Sequence, residues 1–240
     1  MEMNYRFQQL CACSGLALVF ILFPLLILMG FFPPPSPSEG ADAIAAHYAN
    51  DSWIFLLGGA VTIQVSTLGV IWTAAISVQL RHIEGNLPPI FSLSQLVCGV
   101  LANSVFIFAC AGWVVCAFRP ERAPEIIQTL NDWAFIIFLG TVTPLMGQAL
   151  TIGMATFSDD SAEPIFPRWA GFFNCWVAAI FLPAGLIPFF KSGPFAWDGL
   201  FGLWLPVLVF GGWIVIMSFL VLSAIKRQKA VAFADRAGAQ

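Results

Sequence analysis

Long apolar runs separated by short polar connectors dominate the chain. Crossing a hydrocarbon core of about 30 Å takes about 20 apolar residues in a helix, because each residue adds about 1.5 Å. Six runs of sufficient length contain no Asp, Glu, Lys, Arg or His. They cover residues 10–32, 53–80, 90–118, 133–157, 169–190 and 199–225. Since a backbone in lipid must close its own hydrogen bonds, this pattern predicts an all-α polytopic membrane protein with six transmembrane helices.

Two connectors on the predicted outer side favour short helices at the membrane surface. Ser36 and Glu39 have the spacing of a capping box with Pro37 at the first helical position, which predicts a helix over 40–48. The segment 124–130 begins on a proline and places its apolar residues on one face, which is typical of an interfacial helix. For both segments, polar connectors with local helical turns are the alternative.

Lysine and arginine are distributed unevenly between the connectors. If the amino terminus is placed in the cytoplasm, that side carries seven of these residues and the opposite side carries three. Because cytoplasmic loops hold the excess of positive charge, we expect an inner-membrane protein with both termini in the cytoplasm. The chain then divides into a cytoplasmic head over 1–9, a six-helix transmembrane domain over 10–225 and a cytoplasmic basic tail over 226–240.

Composition argues against a soluble domain and against a nucleic-acid-binding protein. The chain is 59% hydrophobic and 10% charged, whereas soluble domains carry about 25% charged residues. Its formal charge of -3 leaves no basic surface for a phosphate backbone, so nucleic acid is not an expected partner. The expected partner is the lipid bilayer.

The sequence offers little chemistry for a cofactor or for catalysis. Its two histidines, His47 and His82, are expected in connectors on opposite sides of the membrane, so they cannot share one ion. All six cysteines lie inside the apolar runs and are expected to be small packing groups, with a thiolate metal site as the alternative. We therefore expect no metal, no cofactor and no catalytic residue. A third hypothesis, a membrane enzyme, rests only on His82 beside Glu84.

Uncharged polar side chains recur at helical spacing inside four of the runs. Residues three or four positions apart share one face of a helix, so these side chains are expected to face one another across the bundle. An unpaired amide in hydrocarbon would cost several kcal/mol, so each needs a partner, a water or a ligand. The residues expected at this polar interior are Thr73, Ser77, Gln95, Asn103, Gln148, Thr151 and Asn174.

Prolines interrupt three of the predicted spans. Pro144 lies in the fourth run, Pro183 and Pro188 in the fifth, and Pro206 in the sixth. Each removes one backbone donor and frees a carbonyl four residues earlier, which kinks the helix. Kinked helices can line a cavity, although proline is common in membrane helices generally.

Three connector strings carry a resemblance. RHIEG at 81–85, FPRW at 166–169 and FKSGPFAW at 190–197 resemble a group of small uncharacterised bacterial integral membrane proteins. The resemblance covers most of the chain and implies a six-span membrane architecture. It implies no activity and no binding residues.

The polar interior has two interpretations. The amides and hydroxyls can be hydrogen bonds between helices, or they can recognise the polar end of a mostly apolar ligand in a cavity. The leading hypothesis is a non-enzymatic membrane protein that binds or passes a small, largely apolar, lipid-like molecule between its helices. The alternative is a structural or accessory subunit that packs against other membrane subunits or against itself.

Overall fold

A computed structural model describes residues 2–238 of the chain and the side chains of residues 4–234. Every regular element in this part is helical, which confirms the all-α prediction. Six segments are long and apolar enough to cross a bilayer, as predicted. They are Asn4–Leu28, Ser52–Glu84, Ile90–Phe118, Pro124–Phe157, Arg168–Phe189 and Leu200–Ala234. Met1 and residues 239–240 of the predicted head and tail lie outside the described part.

Eight α-helices and two irregular helical segments make up these spans and their connections in the described part. The α-helices are α1 (Glu2–Leu28), α2 (Ala41–Asn50), α3 (Ser52–Glu84), α4 (Ile90–Phe118), α5 (Pro124–Gly140), α6 (Thr143–Phe157), α7 (Arg168–Phe181) and α8 (Leu205–Gly238). A 3₁₀ segment, Leu182–Phe189, follows α7, and a π-helical turn, Leu200–Trp204, precedes α8. Helix α1 thus starts inside the predicted head, and α8 continues into the predicted tail; the side chain of Arg236 lies outside the described part.

The six spans form a closed ring. Helix α1 packs on α3, α3 on α4, α4 on α5 and α6, α6 on α7, α7 on α8, and α8 back on α1. Helix α3 also contacts α6 and α8, so it lies closest to the centre. We name the end of the ring that holds the start of α1 and the end of α8 the terminal face, and the opposite end the α2 face. Which membrane the ring occupies and on which side its termini lie stay predictions.

Apolar and polar side chains are distributed as a bilayer requires. Large apolar residues such as Phe20, Phe172 and Leu208 are exposed on the outside of the ring. All the predicted interior amides, by contrast, are buried inside it. Because contiguous exposed apolar surface of this extent is rare in soluble monomers, the distribution supports an integral membrane protein.

One of the two predicted surface helices is a separate element and the other is not. Helix α2 spans Ala41–Asn50 after the N-cap residue Gly40, so Pro37 lies before the helix and not in its first turn. The Glu39 Oε1 atom still accepts a hydrogen bond from the Ser36 backbone N–H at 2.9 Å. The segment 124–130 is helical, but it forms the first turns of α5 and continues into the fourth span. The prediction of a second separate helix is therefore wrong, because α5 continues through Asn131 and Asp132.

The predicted interruptions occur in all three spans that carry them. Helix α5 ends at Gly140 and α6 begins at Thr143, next to Pro144. Helix α7 gives way to the 3₁₀ segment where Pro183 stands, and the π-helical turn ends just before Pro206. Each change of helix type falls where a proline removes a backbone donor, which is the physical reason for the break.

Helix α2 is docked on the ring by one polar pair and a group of rings. The Tyr48 hydroxyl donates to Asn131 Oδ1 at 2.7 Å, and both residues are buried. The His47 ring packs edge-on against Phe55 with a centroid distance of 5.1 Å. Burial lowers the pKa of His47, while the Glu39 and Asp51 carboxylates raise it. The neutral imidazole therefore belongs to the docked form of α2.

This docking predicts a pH dependence. An exposed histidine titrates near 6.5, and the docked His47 has a lower pKa, so the stabilisation from neutral His47 is complete above about 6.5 and is lost as the pH falls through the lower value. Hydrogen exchange of α2 should therefore accelerate between about pH 7 and pH 5 after correction for the intrinsic rate. His47→Gln should flatten this dependence and the exposed His82→Gln should not. An unchanged slope in His47→Gln would contradict it.

A buried carboxylate closes the connection between α3 and α4. Glu84 is 5% exposed, and its Oε1 atom accepts hydrogen bonds from the Phe91 and Ser92 backbone N–H groups. Its Oε2 atom accepts from the Ser92 hydroxyl at 2.6 Å and lies 3.9 Å from Arg81 NH1. The first N–H groups of a helix have no partner within the helix, and they favour negative charge. Glu84 therefore caps α4 from the last turn of α3.

Glu84→Ala should destabilise the start of α4. The substitution leaves buried donors unpaired, which costs roughly 1–3 kcal/mol. Thermal unfolding in detergent should shift to lower temperature, and amide exchange over residues 90–93 should become faster. The matched control is Glu163→Ala, since Glu163 is exposed in the α6–α7 connector. Equal effects of the two substitutions would show that Glu84 does not cap the helix.

Candidate functional site

The interior of the ring is the candidate functional site, and its polar side chains meet first at glycines of α3 and α4. Asn103 donates from Nδ2 to the Gly99 carbonyl oxygen at 2.8 Å and is 7% exposed. A Cβ atom on Gly69 would lie 1.8 Å from Asn103 Oδ1. Only a glycine allows this approach, so Gly69 lets the asparagine amide lie directly against α3.

A second polar contact joins three helices. Gln148 of α6 donates from Nε2 to the Thr73 hydroxyl of α3 at 3.2 Å, and both residues are buried. A Cβ atom on Gly99 of α4 would lie 2.7 Å from Gln148 Nε2 and 2.4 Å from Thr73 Cγ2. The sequence-predicted residues Thr73, Asn103 and Gln148 are thus brought together around the Gly69 and Gly99 positions.

Of three further predicted residues, Ser77 and Thr151 donate hydrogen bonds to backbone carbonyl oxygens, and Gln95 has no partner among the described residues. Ser77 donates to the Ser92 carbonyl oxygen at 2.8 Å and ties α3 to α4. Thr151 donates to the Gly147 carbonyl oxygen of its own helix at 2.7 Å. Gln95 is fully buried, and neither its amide nitrogen nor its amide oxygen has a partner among the described residues.

Gln95 lies one helical turn from Gly99 on the buried face of α4. This position is nearer the terminal face than the contact of Thr73 with Gln148. An amide buried without partners costs several kcal/mol in hydrocarbon, so Gln95 is the least satisfied of the predicted interior amides.

Asn174 is fully engaged in packing α7 on α8. Its Oδ1 atom accepts from the Trp213 indole N–H at 2.8 Å. Its Nδ2 atom donates to the Ala170 carbonyl oxygen at 2.8 Å and lies 3.4 Å from Met217 Sδ. A parallel pair, in which the Trp72 indole N–H donates to Ser218 Oγ at 2.9 Å, joins α3 to α8. The two indoles meet edge-on with centroids 5.2 Å apart.

Two cavities lie between the helices of the ring, and the larger is partly open, since Thr141 on its wall is exposed. The larger has a volume of about 70 Å³ and an apolar wall. Its lining consists of Leu22, Phe23, Leu26, Ala102, Val105, Phe106, Phe138, Leu139, Thr141, Val142, Leu145, Phe181, Pro206, Val207 and Phe210. The smaller, of about 10 Å³, is lined by Leu18, Gly69, Trp72, Ala102, Asn103, Phe106, Leu145, Gln148, Phe210, Trp213 and Ile214. Four residues line both, so the two cavities are neighbours with an apolar end and an amide-bearing end.

All three helix interruptions reach the larger cavity. Thr141 and Val142 form the break between α5 and α6, Phe181 ends α7, and Pro206 follows the π-helical turn. Thr141, the one residue with a polar side chain in this lining, donates its hydroxyl to the Ile137 carbonyl oxygen. Each interruption therefore borders this cavity with at least one residue, a placement that also occurs in membrane proteins that hold ligands between broken helices.

The described residues contain no group of three or more His, Cys, Asp and Glu side chains that could hold a metal ion. The six cysteines carry free thiols. His47 and His82 lie in the last turns of α2 and α3, and not in connectors as predicted. His47 is nevertheless at the α2 face of the ring and His82 at the terminal face.

Three features of the interior were not predicted from the sequence. Gly69 and Gly99 act through the close approach of a partner on another helix, and periodicity alone does not identify that partner. The Trp213 indole N–H donates to Asn174, and the Trp72 indole N–H donates to Ser218, at sequence separations of 39 and 146 residues. The spacing of polar positions was the available signal, and it indicates the face of a helix but not the contact.

Comparisons with protein-family profiles, with curated proteins and with solved structures returned no match for this chain. The resemblance to small bacterial membrane proteins stays a prediction. What the fold defines is an integral membrane protein with six transmembrane-capable helices arranged as a ring.

The pairing of Asn174 with Trp213 predicts strong coupling between them. Asn174→Leu leaves a buried indole N–H unpaired, which costs roughly 1–3 kcal/mol, whereas combining it with Trp213→Phe removes both partners. The double variant should therefore lose less stability than the sum of the single variants. Thermal or denaturant unfolding in one detergent measures all four proteins, and additive losses would contradict the pairing.

Proposed function

We propose that this protein is a non-enzymatic membrane protein that binds or passes a small, largely apolar molecule inside its helix ring. The observation that carries the proposal is the larger cavity, which is bounded by three helix interruptions and adjoins the Asn103 and Gln148 amides. Ligand sites commonly combine an apolar wall with a few placed polar groups. This interior has both.

The wall selects against charge. No Asp, Glu, Lys, Arg or His of the described chain lines either interior cavity. Transferring an ionised group into such a space without a counter-charge is very costly, so a charged ligand is disfavoured. Aliphatic and aromatic side chains from five spans line the larger cavity and offer dispersion contacts to an apolar body.

The helix interruptions allow a ligand to enter the larger cavity. The larger cavity, about 70 Å³ in this structure, is smaller than the cavity of about 150 Å³ that binds benzene in an engineered soluble protein. A larger guest therefore requires the walls to move apart. Helices bend most readily where backbone hydrogen bonds are missing, and Thr141, Phe181 and Pro206 mark those places on the cavity wall.

Filling the cavity should reduce retention of the ligand. Ala102 lines both cavities, so Ala102→Phe places a ring in the shared space. The protein is purified in a mild detergent, and co-purifying apolar compounds are identified and counted by mass spectrometry. We expect the wild-type protein to retain a defined compound and Ala102→Phe to retain at least about fivefold less, because a blocked apolar contact of about 1 kcal/mol corresponds to that ratio.

The matched control is Ala74→Phe, since Ala74 is an exposed alanine of α3 on the outside of the ring. Thermal unfolding of both variants verifies that the ring is intact. Equal retention in wild type and Ala102→Phe would contradict the proposal. Stoichiometric co-purification of another membrane polypeptide, with no retained small molecule, would favour the accessory-subunit alternative.

A further inference from the structure

We propose that the ligand of the interior cavity is an uncharged apolar molecule with a single hydroxyl group, and that this hydroxyl donates a hydrogen bond to Asn103 Oδ1. The inference rests on the proposed function and specifies its ligand class. It follows from the assignment of the Asn103 amide, from the size of the cavity beside it and from the absence of charge around it.

The orientation of the Asn103 amide is fixed by its neighbour. Its nitrogen lies 2.8 Å from the Gly99 carbonyl oxygen. A carbonyl only accepts hydrogen bonds, so the atom facing it must be the donating Nδ2, and the other amide atom is the accepting Oδ1. This acceptor is directed at the Cα of Gly69, which has no side chain to cover it.

The Asn103 acceptor is left without a donor. Within the described part of the chain, Oδ1 receives no hydrogen bond, although the residue is more than nine-tenths buried. Asn103 and Gly69 both line the smaller cavity. An acceptor that is left unpaired beside a cavity is completed by a group that donates, such as a hydroxyl, and not by an ether, an ester carbonyl or a hydrocarbon.

The two cavity sizes divide the ligand into a small polar end and a larger apolar body. The smaller cavity, of about 10 Å³, has room for about one water-sized group. A hydroxyl fits this space, whereas a phosphate or a carboxylate is larger and brings a charge with no cation to meet it. The larger cavity begins at the shared residues Ala102, Phe106, Leu145 and Phe210 and takes the apolar part.

A pair of photoreactive probes tests the donor requirement. One is a long-chain primary alcohol with a diazirine at the far end of the chain, and the other is its methyl ether, which keeps the oxygen and loses the donor. Each is added to the full-length protein in lipid nanodiscs and irradiated, and the labelled residues are mapped by mass spectrometry. Cavity positions are represented by Phe106 and Phe210, and lipid-facing positions on the same helices by Phe108 and Leu208.

We expect the alcohol to label the cavity positions about fivefold more than the ether does, because one net hydrogen bond of about 1 kcal/mol gives that ratio. Labelling of the lipid-facing positions should be equal for the two probes. Excess 1-octanol should compete with the alcohol probe at the cavity positions alone.

Variants assign the preference to Asn103. Gly69→Ala places a Cβ atom 1.8 Å from Oδ1 and must displace the amide, whereas Gly212→Ala in α8 meets no atom within 4 Å and is the matched control. Asn103→Leu removes the acceptor at similar volume and serves if Gly69→Ala does not fold. The preference for the alcohol should fall to about onefold in Gly69→Ala and Asn103→Leu and persist in Gly212→Ala.

The outcomes separate this inference from the proposed function. If alcohol and ether label the cavity positions equally, the hydroxyl requirement is overturned while the apolar site stands. Stronger labelling by a matching carboxylic acid would overturn the exclusion of charge and the hydroxyl class together. If neither probe labels Phe106 or Phe210 above the lipid-facing positions, the proposed function fails as well.

Discussion

Hydrocarbon offers no hydrogen-bond partner, and this constraint governs the whole ring. Polar groups that enter the bilayer must be satisfied by the protein itself, and most of those in the described part are. Glu84 satisfies the exposed start of α4, Thr141 bonds the backbone beside the α5–α6 break, and Asn174 pairs with Trp213. The exceptions in the described part include the Gln95 amide, the Thr62 hydroxyl and the Trp113 indole N–H, and the Asn103 oxygen likewise accepts no hydrogen bond. Of these residues, Asn103 lines the smaller cavity.

The same constraint explains the placement of irregular backbone. A break in a helix exposes N–H and C=O groups, and lipid cannot solvate them. In this protein each of the three breaks contributes a residue to the wall of one cavity. On that side, neighbouring helices rather than acyl chains surround the irregular backbone. A cavity bordered by such breaks is a natural place for a guest molecule, because local movement there disturbs little of the outer packing.

Sequence patterns predicted the architecture better than the site. Charge-free runs identify the six spans because one ionised residue in hydrocarbon is so costly that its absence is informative. Prolines located the interruptions for a similarly local reason. The extent of α5 was mistaken because Asn131 looked like part of a polar connector, whereas Tyr48 supplies its partner from α2. Partners distant in sequence, such as Trp213 for Asn174 and Gly69 for Asn103, are set by helix packing, which spacing within one helix cannot disclose.

The carboxylate bridge at Glu84 has a consequence for biogenesis. It joins the end of one span to the start of the next across a connector of residues 85–89, and both partners emerge from the ribosome within moments of each other. In a helical hairpin joined in this way, the Phe91 and Ser92 amides at the start of the second helix are already paired with the carboxylate of the first. The α3–α4 pair can accordingly enter the lipid as a finished unit, and the later helices can assemble around it.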